Sequence, residues 1–69
     1  MKAMLSNSLR DYLRGKMKYH LANVRVYLES PVGIGEHPDI LGSIEDELGK
    51  AAEYEEKLIQ LEKVLSEHG

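Results

Sequence analysis

The 69-residue sequence contains no cysteine, only two prolines and no long apolar run. The absence of cysteine excludes stabilisation by disulfides and metal binding through thiolates. No stretch approaches the ~20 apolar residues that a transmembrane helix needs, and the apolar segment after Met1 is too short for a signal peptide. We therefore expect a soluble cytoplasmic protein with no membrane anchor and no cofactor.

Charge is divided unequally along the chain. Residues 1–28 carry six basic side chains against one acid, Asp11, for a net charge of +5, whereas residues 29–69 carry eleven acids against three lysines, for −8. Segments of opposite charge attract each other when they pack, and two copies of either segment alone would repel. The overall charge of −3 disfavours nucleic acid as a partner.

Hydrophobic periodicity predicts two amphipathic helices, over about residues 6–29 and 38–67, joined by a Pro/Gly loop at 30–37. The expected fold class is all-α, a single-domain antiparallel helical hairpin spanning residues 1–69. The apolar arc of the first helix covers about 200°, twice the ~100° stripe that one partner requires. A second copy is the simplest cover for the remainder, so we expect a homo-oligomeric four-helix bundle; a higher oligomer or a different protein would also cover the arc.

Helix ends are predicted from capping residues. The first helix is expected to take its N-cap from residues 6–8, and the second to begin at His37 or Pro38, with Asp39 close to its positive end. Gly42 and Gly49 lie seven residues apart and could form a slot for another helix backbone, or could simply be tolerated on the surface.

Several residues are expected at interfaces. The predicted apolar stripe of the second helix is Ile40, Leu41, Ile44, Leu48, Ala51, Leu58, Leu61 and Leu65, with Tyr54, Ile59 and Val64 at its margins. The predicted oligomer interface is Leu9, Leu13, Met17, His20, Val24, Leu48, Ala51 and Leu58. A polar pair between Lys16 and Glu55 is expected at the seam between the helices, where such pairs fix register.

Few residues indicate chemistry. His20 is predicted to be a hydrogen-bonded packing residue, with metal ligation the weaker alternative, and the run at 45–47 is predicted to be a solvated acidic face. No Glu-x-x-His pair, phosphate-binding loop or nucleophile elbow occurs, so we do not expect an enzyme. A nucleic-acid-binding regulator is the alternative. Its basic face would comprise Arg10, Arg14, Lys18 and Arg25.

The loop supplies a third hypothesis and a candidate binding segment. His37-Pro38-Asp39 resembles the signature tripeptide of J-domain co-chaperones, which stimulate a heat-shock chaperone. That resemblance covers three residues, and Pro38 and Asp39 also serve to start a helix. Loops held by rigid helices often bind partners. The candidate partner-binding residues in this loop are Val32, Ile34, Glu36 and His37.

A longer resemblance covers roughly residues 24–61. Val26-Tyr27-Leu28, the segment from Pro31 to Asp39 and the acidic helix with Ala52-Glu53-Tyr54 resemble short uncharacterised proteins of tailed phages that infect marine cyanobacteria. The resemblance implies expression in the cytoplasm of an infected bacterial host but no known activity. We therefore expect a small homo-oligomeric interaction protein whose partner is a host or phage protein.

Overall fold

The computed structural model describes residues 1–29 and 39–68, and within them the chain forms two helices. Helix α1 spans Lys2–Glu29 and helix α2 spans Ile40–His68. The helices pack along each other in opposite directions, since early residues of α1 contact late residues of α2. The expected all-helical hairpin is confirmed. Its longest dimension is 51 Å and its other two are 17 and 12 Å, so it is one layer of helices thick.

Helix α1 begins earlier than the sequence predicts. It starts at Lys2, and Ser6 lies inside the helix, where its hydroxyl donates to the Lys2 carbonyl at 2.8 Å. The predicted N-cap at residues 6–8 is therefore wrong. A serine inside a helix satisfies its hydroxyl by donating to the carbonyl four residues earlier. The preceding residues include Lys2, Ala3, Met4 and Leu5, all good helix formers, so the helix extends over them.

Helix α2 begins at Ile40 and is capped by Asp39. The Asp39 carboxylate accepts from the Gly42 amide at 3.1 Å, and the Asp39 carbonyl accepts from the Ser43 amide at 3.1 Å. The predicted start at His37 or Pro38 is two to three residues early; those two residues themselves lie outside the part described.

Gly42 serves this cap and does not form a slot for α1. A methyl group at Gly42 would lie 2.4 Å from one carboxylate oxygen of Asp39, whereas Gly49 has no atom within 4 Å of that position. The two glycines therefore do not share a contact with the other helix. Gly42 leaves room for the capping carboxylate, and Gly49 is exposed.

A heptad seam joins the two helices, because buried and half-buried residues recur at alternating spacings of three and four. On α1 the seam is Ser6, Arg10, Leu13, Met17, His20, Val24 and Tyr27. On α2 it is Ile40, Ile44, Glu47, Ala51, Tyr54, Leu58, Leu61 and Leu65. Polar side chains thus take positions that apolar residues usually fill.

The predicted stripe of α2 is wrong at two positions. Leu41 is 79% exposed and Leu48 is 48% exposed, while Glu47 lies in the seam. Seven residues fall about 20° short of two full helical turns, so the contact follows the seven-residue repeat around α2 and includes Glu47 rather than its apolar neighbour Leu48. The core that results is thin. Among the described residues its buried apolar members are Leu13, Val24 and Ala51, and no large side chain is fully buried.

Candidate functional site

The most buried polar group of the seam is His20, which is 7% exposed and faces α2. Its Nδ1 lies 2.7 Å from Oε2 of Glu47, and the Asn23 side-chain amide donates to the same oxygen at 3.1 Å. An ionised carboxylate can only accept, so His20 donates from Nδ1. These three residues form a polar cluster across the seam, and one carboxylate thereby satisfies two side chains from α1.

Glu47 differs from the prediction. The acidic run at 45–47 was expected to be a solvated face, but the Glu47 side chain is only 16% exposed. The hydrogen bond from His20, followed by that from Asn23, lowers the pKa of Glu47 below the usual glutamate value. Glu47 is therefore held as a carboxylate against α1, and the outward side of the acidic run comprises Glu45 and Asp46.

Aromatic rings enclose the other side of His20. The Tyr54 ring stacks on the imidazole at 5.8 Å between centroids, and the Tyr19 ring meets it edge-on at 4.9 Å. The ammonium groups of Lys57 and Lys16 lie 4.6 Å and 5.9 Å from the Tyr54 centroid, within cation–π range. His20 is therefore the hydrogen-bonded packing residue that we expected. In the described ranges no group of three His, Cys, Asp or Glu side chains could hold a metal ion.

A second polar contact closes the far end of the hairpin. Arg10 donates through Nε to Glu62 Oε2 at 2.5 Å and through Nη2 to Oε1 at 2.9 Å, while Nη1 donates to the Asn7 amide oxygen. This two-point contact lowers the pKa of Glu62 and raises that of Arg10. The contact fixes the level at which the start of α1 meets the end of α2.

The predicted seam pair of Lys16 and Glu55 is wrong. Glu55 is exposed and makes no ion pair in the described part of the chain, and the Lys16 ammonium lies over the rings of Tyr19 and Tyr54. Both residues are near the same level of the hairpin, but Tyr54 rather than Glu55 occupies the seam position on α2. The expected attraction between basic and acidic helices is realised instead at Arg10 with Glu62.

The predicted oligomer interface divides into three groups. Leu13, His20, Val24 and Ala51 are buried between α1 and α2, so they belong to the hairpin rather than to a surface. Met17 and Leu58 are half-buried in the same seam. Leu9 and Leu48 are exposed at 43% and 48%. The candidate loop residues Val32, Ile34, Glu36 and His37 lie outside the described residues.

The predicted basic face loses one member to the seam. Arg10 is engaged by Glu62, and Arg14, Lys18 and Arg25 remain exposed on α1. A shallow groove of about 250 Å³ lies beside Arg10, between the start of α1 and Leu65 of α2. Its volume is below the ~300 Å³ at which small-molecule sites begin.

Sequence patterning missed two residues that contact His20, Glu47 of the polar cluster and Tyr54, whose ring stacks on the imidazole. Glu47 was not predicted in the seam because the acidic run at 45–47 is typical of a solvent-exposed face. Tyr54 was not predicted there because it fell at the margin of the apolar stripe. A search for a strict seven-residue repeat that admits polar residues would have found both. Such a search also places Arg10 in the seam.

Neither described helix combines the length and the apolar character needed to cross a membrane. Comparisons with known protein families, with curated proteins and with solved structures found no significant match to this chain.

Proposed function

We propose that this chain is a small, non-enzymatic, homo-oligomeric helical module that binds another protein. The observation that carries the proposal is the imbalance between core and surface. Three buried apolar residues form the core of the described helices, whereas large apolar side chains on both helices are exposed. Ordering a chain costs about 1.5 kcal/mol per residue, and a thin core offsets little of that cost. Further burial against a partner would supply the missing stabilisation.

The polar contacts of the seam support a defined hairpin rather than a loose pair of helices. A one-turn slip of α2 would separate Glu47 from His20 and Asn23, and would separate Glu62 from Arg10. Buried or half-buried polar groups left unpaired are costly, so other registers are disfavoured. A hairpin with one register presents its outer faces in a fixed arrangement, which a binding module requires.

The resemblance to cyanophage proteins leads us to propose a host or phage protein as the partner, met in the cytoplasm of an infected bacterium. Residues 30–37, which the sequence predicts to be a loop, remain the proposed contact segment. The test is to replace Ile34, Glu36 and His37 together with serine and to repeat an affinity capture from host lysate. Loss of specific partners with helicity and assembly mass unchanged supports a binding loop. Retention of every partner moves the site to the helix faces.

Sedimentation equilibrium tests the assembly. We expect a mass of at least twice the 7.8 kDa of one chain at micromolar concentration. A cooperatively folded monomer over the whole concentration range would contradict the proposal. The measurement should be made at several salt concentrations, because the seam between the basic and acidic helices contains an ion pair that salt weakens.

One observation favours nucleic-acid binding as the second candidate. Arg14, Lys18 and Arg25 are exposed on α1 and lie at spacings of four and seven, so they share one side of the helix. Binding through them must weaken steeply as salt rises, because phosphate contacts release counterions. Duplex DNA titrated at low and moderate salt distinguishes the two functions, and replacing these three residues with glutamine should abolish any such binding.

A further inference from the structure

An exposed apolar stripe runs along the side of α1 that does not contact α2. Leu5, Tyr12, Tyr19 and Val26 follow one another at intervals of seven residues, and they are 60%, 59%, 57% and 59% exposed. Seven residues make nearly two helical turns, so these side chains line up along the helix. The stripe is distinct from the seam, which uses other residues of α1. It spans most of the length of that helix.

Charged residues along one edge of this stripe favour one orientation of a second copy that packs on it. Asp11, the one acid among residues 1–28, and Lys18 lie seven residues apart beside Tyr12 and Tyr19. Both are exposed, and neither forms an ion pair with another described residue. A parallel pair of α1 helices related by a two-fold axis would place this edge on opposite sides of the contact in the two copies, so the charges of one copy would not face those of the other. An antiparallel pair sets Asp11 of each copy opposite Lys18 of the other, so only the antiparallel arrangement is attractive at this edge.

The stripe itself is compatible with the same symmetry. A two-fold axis beside Gly15 places Tyr12 at the level of Tyr19 of the second copy, and Leu5 at the level of Val26. Gly15 has no atom within 4 Å of the position that a methyl group would take, so the hairpin itself leaves open space at the level of the axis. Large apolar side chains then face each other along the whole contact.

The chain also exposes more surface than a compact monomer of its size. A compact monomer of 7.8 kDa exposes about 4,400 Å². This chain exposes 5307 Å². The excess of about 900 Å² is close to the ~800 Å² that each partner buries in a stable complex.

We propose that a second copy of this chain packs antiparallel on the stripe formed by Leu5, Tyr12, Tyr19 and Val26, about a two-fold axis beside Gly15. The proposal rests on the homo-oligomeric module proposed above and assigns its interface. Two basic segments alone would repel, but each copy also brings its acidic helix α2, and the net charge of the whole chain is −3. The four residues of the stripe form the apolar contact. The two symmetric pairs of Asp11 with Lys18 favour the antiparallel orientation of the two copies.

Disulfide trapping tests the geometry, and the natural lack of cysteine gives it a clean background. The axis brings Leu5→Cys beside Val26→Cys of the other copy, so a mixture of these two variants should form a mixed disulfide dimer on mild oxidation. Leu5→Cys alone should not, because its two copies would be about 30 Å apart and a disulfide needs Cα atoms within ~7 Å. Gly49→Cys, on the other helix, is the control for random collision. Self-crosslinking of Leu5→Cys would indicate parallel packing and overturn the proposal.

Charge reversal tests the direction independently. Lys18→Glu should raise the dimer dissociation constant about tenfold, because two weak surface attractions become repulsions. Adding Asp11→Lys to that variant should restore the dissociation constant. Lys63→Glu makes the same change of charge on α2 and should leave it unchanged. Failure of the double variant to restore binding would refute the assigned pairs.

The outcomes distinguish this interface from the broader proposal. A chain that is monomeric at every concentration contradicts both. A chain that forms dimers or larger species, but yields no mixed disulfide between Leu5→Cys and Val26→Cys and tolerates Lys18→Glu, keeps its oligomeric role and loses the interface assigned here. Circular dichroism of each variant confirms that the helices are intact, since every substituted side chain on the stripe and its edge is exposed.

Discussion

Replacing Gly42 with alanine should remove the hydrogen bond through which the Asp39 carboxylate caps α2, and should leave the helix itself in place. A methyl group at this position would lie 2.4 and 2.6 Å from the two carboxylate oxygens of Asp39. Those oxygens belong to a short flexible side chain, so the carboxylate would swing aside and the helix itself would stay in place. The movement would cost the hydrogen bond from the Gly42 amide to Asp39, which is 3.1 Å long.

The magnitude follows from two opposing contributions. Alanine in place of glycine inside a helix gains about 1 kcal/mol, and Gly49→Ala should show this gain in full because the added methyl group meets no atom within 4 Å. Loss of an N-cap costs about 0.5–2 kcal/mol. The free energy of unfolding of Gly42→Ala should therefore be about 0.5–2 kcal/mol lower than that of Gly49→Ala. It should be close to that of the natural chain. Where Asp39 is already alanine, Gly42→Ala should gain the full ~1 kcal/mol.

Urea unfolding followed by circular dichroism measures the four members of this thermodynamic cycle, namely the natural chain, Gly42→Ala, Asp39→Ala and the double variant, together with Gly49→Ala as the reference. The protein concentration must be the same throughout, because association shifts the apparent stability of an oligomer. Equal gains from Gly42→Ala and Gly49→Ala in the otherwise natural chain would refute the argument. That result would mean that Asp39 contributes nothing as a cap and that Gly42 is only a tolerated glycine.

Three further predictions concern the seam. Leu13→Ala should lower the free energy of unfolding by about 2 kcal/mol or more, whereas Leu28→Ala, at an exposed position, should change it by about 0.5 kcal/mol or less, both measured by urea unfolding. The pKa values of Glu47 and Glu62 are lowered in the folded chain, so the stability that these groups contribute is present above pH 4.5, the usual glutamate value, and is lost as pH falls through their folded values. Thermal unfolding at a series of pH values should show Tm falling in that acid range, and a flat profile would contradict it. Glu62→Gln should lower Tm at neutral pH more than Glu55→Gln, because only Glu62 receives a two-point contact from arginine.

Leu48 and Glu47 show where prediction from the sequence stops. Hydrophobicity ranks leucine far above glutamate for burial, and a projection of apolar residues alone selects Leu48. Glu47 can occupy the seam because His20 and Asn23 of the other helix donate to its carboxylate. That compensation depends on two residues 27 and 24 positions away in the chain, so no local pattern contains it. The same reasoning applies to Lys16, which was matched by level to Glu55 but lies over aromatic rings.

The sequence by itself determined the two helices, their antiparallel arrangement and the division of charge between them. These properties are local or additive: apolar periodicity along each helix and a sum of charges over each half. Only the tertiary structure decided which residues form the seam, that Arg10 and Glu62 supply its ion pair, and that Leu5, Tyr12, Tyr19 and Val26 stay exposed. The physical reason is that seven residues fall short of two full helical turns, so small differences in rotation and register exchange a leucine for a glutamate at the contact.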